Sequence, residues 1–275
     1  MKKRKVNKKM LIWEAAVLLA VLAVAVFVGV RNASRPAPTE PAITQPPRST
    51  LPPNPFSSED FAFVDGYLTC LAQDAALGVD VSVWQDTIDW QQVKDAGIEF
   101  AMLRIGYRGS DLGGMYEDEC LQANYEGAKA AGLKVGGYFF SQAVSVQEAN
   151  EEAEFVLDII GGWDFDMPVV YDWEYIDSEA RTADVDAQTL TDCAEAFCER
   201  IKNAGFAPMV YFNLDLAAER MYLTELTDYP FWLARYDPAM DCPFRVDMWQ
   251  YTSTGTVPGI EGDVDLNLYF DYSTP

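Results

Sequence analysis

The chain has 275 residues, 49% of them hydrophobic, with 20 Lys+Arg against 43 Asp+Glu and a formal charge of −23, which is apolar material enough for one large core. It contains no histidine, which excludes Ser-His-Asp and Cys-His catalysis, HExxH zinc sites and any imidazole-based pH switch, leaving proton chemistry to carboxylates, Tyr, Cys or Lys. The first 50 residues hold nine basic and two acidic side chains, so the remainder carries −30, and so acidic a body repels nucleic acid, whose binding rests on counterion release by Lys and Arg.

Residues 1–10 form a basic tail with six Lys or Arg, followed by an apolar run of 20 residues, Leu11–Val30, whose one charge is Glu14 near its end. That length crosses a bilayer, it exceeds the apolar region of a secretory signal peptide, and the preceding basic residues stay on the cytoplasmic side. A single-pass membrane anchor with the body outside the cell is the expectation. Residues 31–60 are expected to form a Pro-rich linker: eight of the fifteen prolines fall between 31 and 57, a composition that favours extended polyproline geometry and builds no core. The folded domain is then 61–275. Its five cysteines (Cys70, Cys120, Cys193, Cys198, Cys242) make no CxxC pair and their spacing fits no zinc cluster, so they are expected to be small apolar fillers with at most an incidental disulfide. No metal and no cofactor is expected.

From about Ala75 the pattern alternates. Strand-like runs are Gly78–Trp84, Phe100–Ile105, Lys134–Phe140, Pro168–Trp173, Ala207–Phe212, Pro230–Ala234, Val246–Tyr251 and Val264–Tyr269, and helical periods cover 87–96, 116–131, 146–161 and 187–204. Ser145 with Glu148 fits a capping box, while Gly132 and Gly205 stop the second and fourth helices. Repeated βα units imply parallel strands under helices. The last strands follow one another with little helix between them, so the reading is an α/β fold, an irregular TIM-like (β/α)5β3 barrel, with an open doubly wound sheet as the alternative.

Catalytic groups of such barrels sit at the C-terminal strand ends, and three of the strands carry acids there: Asp80 in Gly78-Val79-Asp80-Val81-Ser82, Asp172 and Glu174 in Tyr171-Asp172-Trp173-Glu174, and Asp265 in Asp263-Val264-Asp265-Leu266-Asn267. Residues i and i+2 of a strand share a face, with α-carbons about 6.5 Å apart. Asp172 and Glu174 therefore enter one cavity while Trp173 turns toward the helices. Two buried like charges cannot both ionise cheaply, so one holds a proton near neutrality, which is the equipment for cleaving a glycosidic bond. Glu174, with the longer side chain, is the better proton donor and Asp172 the better charge stabiliser. Seven aromatics at strand positions (Tyr138, Tyr171, Tyr211, Trp232, Tyr236, Trp249, Tyr251) could stack on sugar rings or simply fill the core.

Together these segments resemble glycoside hydrolase family 25 lysozymes from about Gly78 to Phe270. The carriers are Gly78–Ser82 with Trp84-Gln85, Asp89–Val93, Phe100–Arg104, Gly136–Ser141, Val170–Glu174, Val210–Phe212, Trp232–Tyr236, Trp249–Thr252 and Val264–Asn267. The resemblance implies a barrel of five β/α units plus three strands, and a muramidase cleaving the β-1,4 bond from N-acetylmuramic acid to N-acetylglucosamine. It further implies Glu174 as general acid, Asp172 as its acidic partner, and Asp80 and Asp265 as two more acids of the site. Tyr138, Tyr211, Trp232, Trp249 and Arg104 fall at positions expected to contact the substrate. A retaining route is implied, either with the 2-acetamido oxygen as nucleophile or by direct attack of a carboxylate. The expected partner is a peptidoglycan glycan strand, met by a monomeric catalytic domain; a glycan-binding module without turnover and a hydrolase of another N-acetylated polymer are the alternatives.

Overall fold

The computed structural model describes residues 50–272. The expected anchor at 11–30 and most of the linker lie outside these residues, and no helix among the described residues is long and apolar enough to cross a membrane. The elements in chain order are the strands β1 (Phe61–Val64), β2 (Tyr67–Cys70) and β3 (Ala75–Val81), helix α1 (Trp90–Asp95), β4 (Phe100–Arg108), β5 (Met115–Glu117), α2 (Leu121–Ala130), β6 (Lys134–Ser141), α3 (Val146–Ile160), β7 (Val169–Trp173), α4 (Ala187–Asn203), β8 (Pro208–Asn213), α5 (Leu214–Glu219), β9 (Phe231–Ala234), β10 (Met248–Gly255) and β11 (Val264–Phe270).

Eight of these strands close a barrel in the order β3-β4-β6-β7-β8-β9-β10-β11, sealed by the pairing of β11 back onto β3. Closure rules out the open doubly wound sheet. The strands from β3 to β10 run parallel, and β11 is antiparallel to both neighbours. Five β/α units thus precede three strands, as the resemblance implied. Strand β5 is a short antiparallel flange on β4 and occupies the start of the segment read as helix 116–131.

The period-2 alternation of the strands divides the apolar residues into two layers. Inward-facing Phe100, Met102, Val170, Met209, Trp232 and Met248 fill the barrel. Outward-facing Val79, Leu103, Val135, Phe139, Val169, Trp173, Phe212 and Leu268 pack under the helices in the larger core. Inside the barrel the glycines are fitted to their neighbours: a Cβ on Gly78 would lie 2.3 Å from the Phe100 ring, so the ring closes the floor only because that position has no side chain. Helix stops behave as the spacing predicts, with Gly132 at φ 77° and Gly205 at φ 96°, a region L side chains avoid. The capping box at Ser145 is half formed: Ser145 Oγ accepts from Glu148 N–H, but the Glu148 carboxylate accepts instead from Val144 N–H and from Arg181.

The end of the expected linker belongs to the folded unit. Pro53 bridges Phe244, Asn54 N–H donates to Pro243 O at 3.2 Å, Asn54 Nδ2 donates to Cys242 O at 2.9 Å, and Arg245 N–H donates to Pro52 O at 2.8 Å. Leu51 and Phe56 pack against the core, which offsets the ordering of a segment whose prolines already restrict the unfolded chain. This strap lies beside the start of β10, at the N-terminal ends of the parallel strands. All five cysteines are unpaired and four are buried, consistent with apolar fillers.

Candidate active site

At the other end of the barrel, where the parallel strands finish, a cavity of about 1040 Å³ opens. Each inward position near a strand end contributes one side chain: Asp80 (β3), Arg104 (β4), Tyr138 and Phe140 (β6), Asp172 (β7) with Glu174 just beyond, Tyr211 (β8), Trp232 (β9), Gln250 (β10) and Asp265 (β11). Asp265 is near the beginning of its strand, yet it reaches this end because β11 runs the opposite way. It stands directly across from Asp80 in the ladder, a placement that puts two carboxylates on one face with Cβ atoms about 5 Å apart.

Asp172 and Glu174 both line the cavity, and the intervening Trp173 is wholly buried in the outer layer. Tyr138, Tyr211, Trp232 and Arg104 also face the cavity. Trp249 does not. It is one residue out of phase with Gln250, so it points out of the barrel, packs edge-on against Phe61 at 5.1 Å and donates its indole N–H to Arg235 O at 2.9 Å. Its expected role in substrate contact is corrected to a structural one, and Tyr171 and Tyr251 face outward for the same reason.

Burial raises the titration of all four acids, and repulsion from neighbouring carboxylates adds to it for Asp172, Glu174 and Asp265. Asp80 is pushed up to about 6, chiefly by burial, although it accepts hydrogen bonds from Asn267 Nδ2 at 2.7 Å and Gln250 Nε2 at 2.9 Å that favour its charged form. Asp172 is raised further by burial and then by the charges of Glu174 and Asp80; its Oδ1 is buried and has no hydrogen-bond partner. Burial and the Asp80 charge raise Glu174, and Asp265 is pushed up to about 8 by burial, then Asp80 and Glu174. The protons of so close a set belong to the group rather than to one member. Arg104 offsets this only in part: its charge lowers Asp172, by less than burial and the neighbouring carboxylates raise it, and its Nε and Nη2 both contact Asp118 Oδ2, at 2.8 and 2.7 Å.

Neutral amides orient the set. Gln250 Oε1 accepts from the phenols of Tyr211 at 3.2 Å and Tyr236 at 3.0 Å, and Asn267 Oδ1 accepts from the Trp232 indole N–H at 2.8 Å. Their donor ends are thereby aimed at Asp80. Glu174 lies past the last paired residue of β7, and its backbone is held from the side: Gln142 Nε2 donates to Glu174 O at 3.0 Å and to Ser141 O at 2.8 Å, while Gln142 Oε1 accepts from Thr182 at 2.8 Å. Arg181 braces the same loop through a two-pronged contact with Glu148 and a bond to Gln142 O at 2.6 Å. Sequence reasoning did not single out Gln142, Gln250 or Asn267 for these tasks. Inward phase marks the last two, since each is two residues from another inward side chain on its strand. Trp84, 81% exposed on the rim, was quoted only as part of a motif.

Among the described residues no cluster of three or more acidic or thiol side chains is arranged to hold a metal ion. The arrangement is instead a sugar-sized hollow with aromatic walls and several carboxyl groups that retain protons near neutrality, suited to donating a proton to a leaving oxygen and steadying positive charge.

Comparison with known proteins agrees with this chemistry. The chain is 29% identical over 202 residues to Lysozyme M1 of Streptomyces globisporus, covering 70% of this chain and 67% of that one. It is 28% identical over 195 residues to the autolytic lysozyme of Clostridium acetobutylicum, covering 70% of this chain and 55% of that one. In structure it resembles the modular autolysin LytC of Streptococcus pneumoniae, solved with a synthetic peptidoglycan ligand, with a TM-score of 0.65 at 24% identity over 76% of this chain and 52% of LytC. The chain thus spans between about half and two thirds of these relatives. Residues 79–260 match the family described as Glycosyl hydrolases family 25, and the chain belongs to that family.

Proposed function

We propose that the domain is a peptidoglycan hydrolase, an N-acetylmuramidase that cleaves the β-1,4 bond between N-acetylmuramic acid and N-acetylglucosamine. The observation that carries this reading is the convergence of Asp80, Asp172, Glu174 and Asp265 on one cavity of a family 25 barrel. Glu174 acts as general acid: its proton passes to the leaving oxygen as the bond from that oxygen to the anomeric carbon breaks. The 2-acetamido oxygen attacks the anomeric carbon, and water later opens the resulting ring with Glu174, now ionised, accepting the proton.

Asp172 supports this attack through its unpartnered Oδ1. A substrate amide N–H donating to that oxygen stabilises the charged carboxylate and shifts the shared proton toward Glu174, so substrate binding itself loads the acid. Asp80, which titrates lower than Asp265, holds negative charge beside the developing cation. A pure binding module gains nothing from repelling carboxylates, which disfavours that alternative.

The apolar run at 11–30 supports single-pass attachment to the cell membrane with the domain outside. The strap at 51–56 joins the barrel at the end opposite the cavity. Protease digestion of intact cells is expected to remove the domain.

The function is tested by digesting purified peptidoglycan with the full-length chain and determining which sugar lies at the new reducing ends. Muramic acid is expected, and Glu174→Gln is expected to abolish release while the thermal transition is unchanged. N-acetylglucosamine at the new ends, or substantial activity in Glu174→Gln, refutes the assignment.

A further inference from the structure

A second cleft, of about 750 Å³, lies beside the catalytic cavity and is lined by Phe63 and Gly66 of the β1–β2 hairpin, Tyr236 and Asp237 after β9, and Thr252 and Thr254 of β10. Tyr236 lines both hollows, so they meet at that ring. The hairpin precedes the segment that matches the family. Its turn is Asp65-Gly66, both at positive φ (52° and 92°), the geometry of a tight two-residue turn whose twist suits paired strands. Phe61, Leu68 and Cys70 bury the inner face of the hairpin in the core, and Leu68 N–H donates to the Tyr251 hydroxyl. Phe63 stands opposite the buried Leu68 on that face, yet its own ring is 61% exposed and lines the cleft. Opposite it, β10 breaks register with β11 twice, between Gln250 and Thr252 and between Thr252 and Gly255, irregularities of the kind that re-aim side chains beside active sites.

We propose that this cleft is a distal saccharide subsite, which takes a further sugar ring of the same glycan strand whose scissile bond lies in the catalytic cavity; the inference rests on the hydrolase reading above. An exposed aromatic face facing a pair of hydroxyls (Thr252 and Thr254 Oγ1 are 3.3 Å apart) is the chemistry for a pyranose, whose C–H face stacks on Phe63 while its hydroxyls exchange hydrogen bonds with the threonines and Tyr236. No Lys or Arg lines the cleft, and Asp237 stands at its edge, so an acidic stem peptide is repelled and a neutral sugar is favoured.

The test compares kcat/KM of the full-length chain on long, peptide-free glycan strands and on the shortest oligosaccharide it cleaves. Phe63→Ala is expected to lower the value on long strands about five- to tenfold, a stacking contribution of ordinary size, and to leave the short substrate unchanged. Phe63→Tyr restores the long-strand rate, and Thr254→Val, on an exposed strand position, reproduces part of the loss without touching the hairpin. Equal values for Phe63→Ala and the unaltered chain on long strands, or equal losses on both substrates, overturn the subsite while leaving the hydrolase reading in place. Failure of the unaltered chain to cleave either substrate overturns both.

Discussion

Asp265→Asn is expected to stabilise the fold at neutral pH while impairing turnover. In the folded protein this carboxyl is pushed up to about 8, against about 3.9 in an unfolded chain. Between those values the folded state holds a proton that the unfolded state has released, so this group makes stability fall as pH rises, by about 1.36 kcal/mol per unit, and the loss levels off above about 8. At pH 7 the difference spans about three units, or about 4 kcal/mol; contact with solvent at the cavity mouth reduces it to about 2 kcal/mol. A neutral amide removes that cost. For a domain of this size about 2 kcal/mol is about 4–8 °C in Tm. Thermal unfolding followed by circular dichroism should show that gain at pH 7 and a difference of only about 1–2 °C at pH 4.5. A gain independent of pH, or a loss of stability at pH 7, refutes the claim that crowded carboxyls burden this site.

Two further substitutions separate positioning from packing. Gln142→Met keeps the buried volume but frees the Glu174 carbonyl and Thr182; kcat is expected to fall about tenfold or more with KM within about twofold, since small displacements of an acid are costly, and a steady-state series on peptidoglycan fragments reads the split. Trp249→Phe loses the indole bond to Arg235 O and part of a fully buried ring, so a loss of about 1–3 kcal/mol in urea unfolding is expected with KM unchanged; a raised KM would return Trp249 to the groove.

Much of the barrel was legible because parallel strands buried on both faces read as apolar runs and the helices between them keep a 3.6-residue period. All eight barrel strands fall within a few residues of their expected ends, and Asp172 and Glu174 could be assigned to one face because the i, i+2 rule needs only their own strand. Trp249 could not be, since the phase of β10 depends on knowing that Gln250 faces in, which only the pairing with β11 decides. The β1–β2 hairpin was readable and was overlooked: Asp65-Gly66 between Phe61-Ala62-Phe63-Val64 and Tyr67-Leu68-Thr69-Cys70 is a strong short-range hairpin signal. Strand β5 was hidden because its three residues run directly into the apolar period of α2. The amide bracing of Asp80 joins residues 170 and 187 positions apart, a distance over which periodicity carries no information.

The missing histidine and the crowded acids are two sides of one physical constraint. A hydrolase working near neutrality needs a group that still holds a proton there, and imidazole is the side chain that does so unperturbed. Without it, the proton must be kept on a carboxyl by burial and by neighbouring negative charge. The barrel supplies both: inward positions at the ends of three strands bring the four acids together, and the nearby cation Arg104 is paired with Asp118, whose side chain is itself fully buried. Arg104 lowers Asp172, but by less than burial and the charges of Glu174 and Asp80 raise it; without its Asp118 partner its charge would act on the acids more strongly. Bracing by the uncharged amides of Gln250 and Asn267 fixes Asp80 in place while adding no full positive charge to the cavity. The Arg104–Asp118 pair is therefore part of the acid's chemistry, because it limits the positive charge that reaches the carboxyls that must remain protonated.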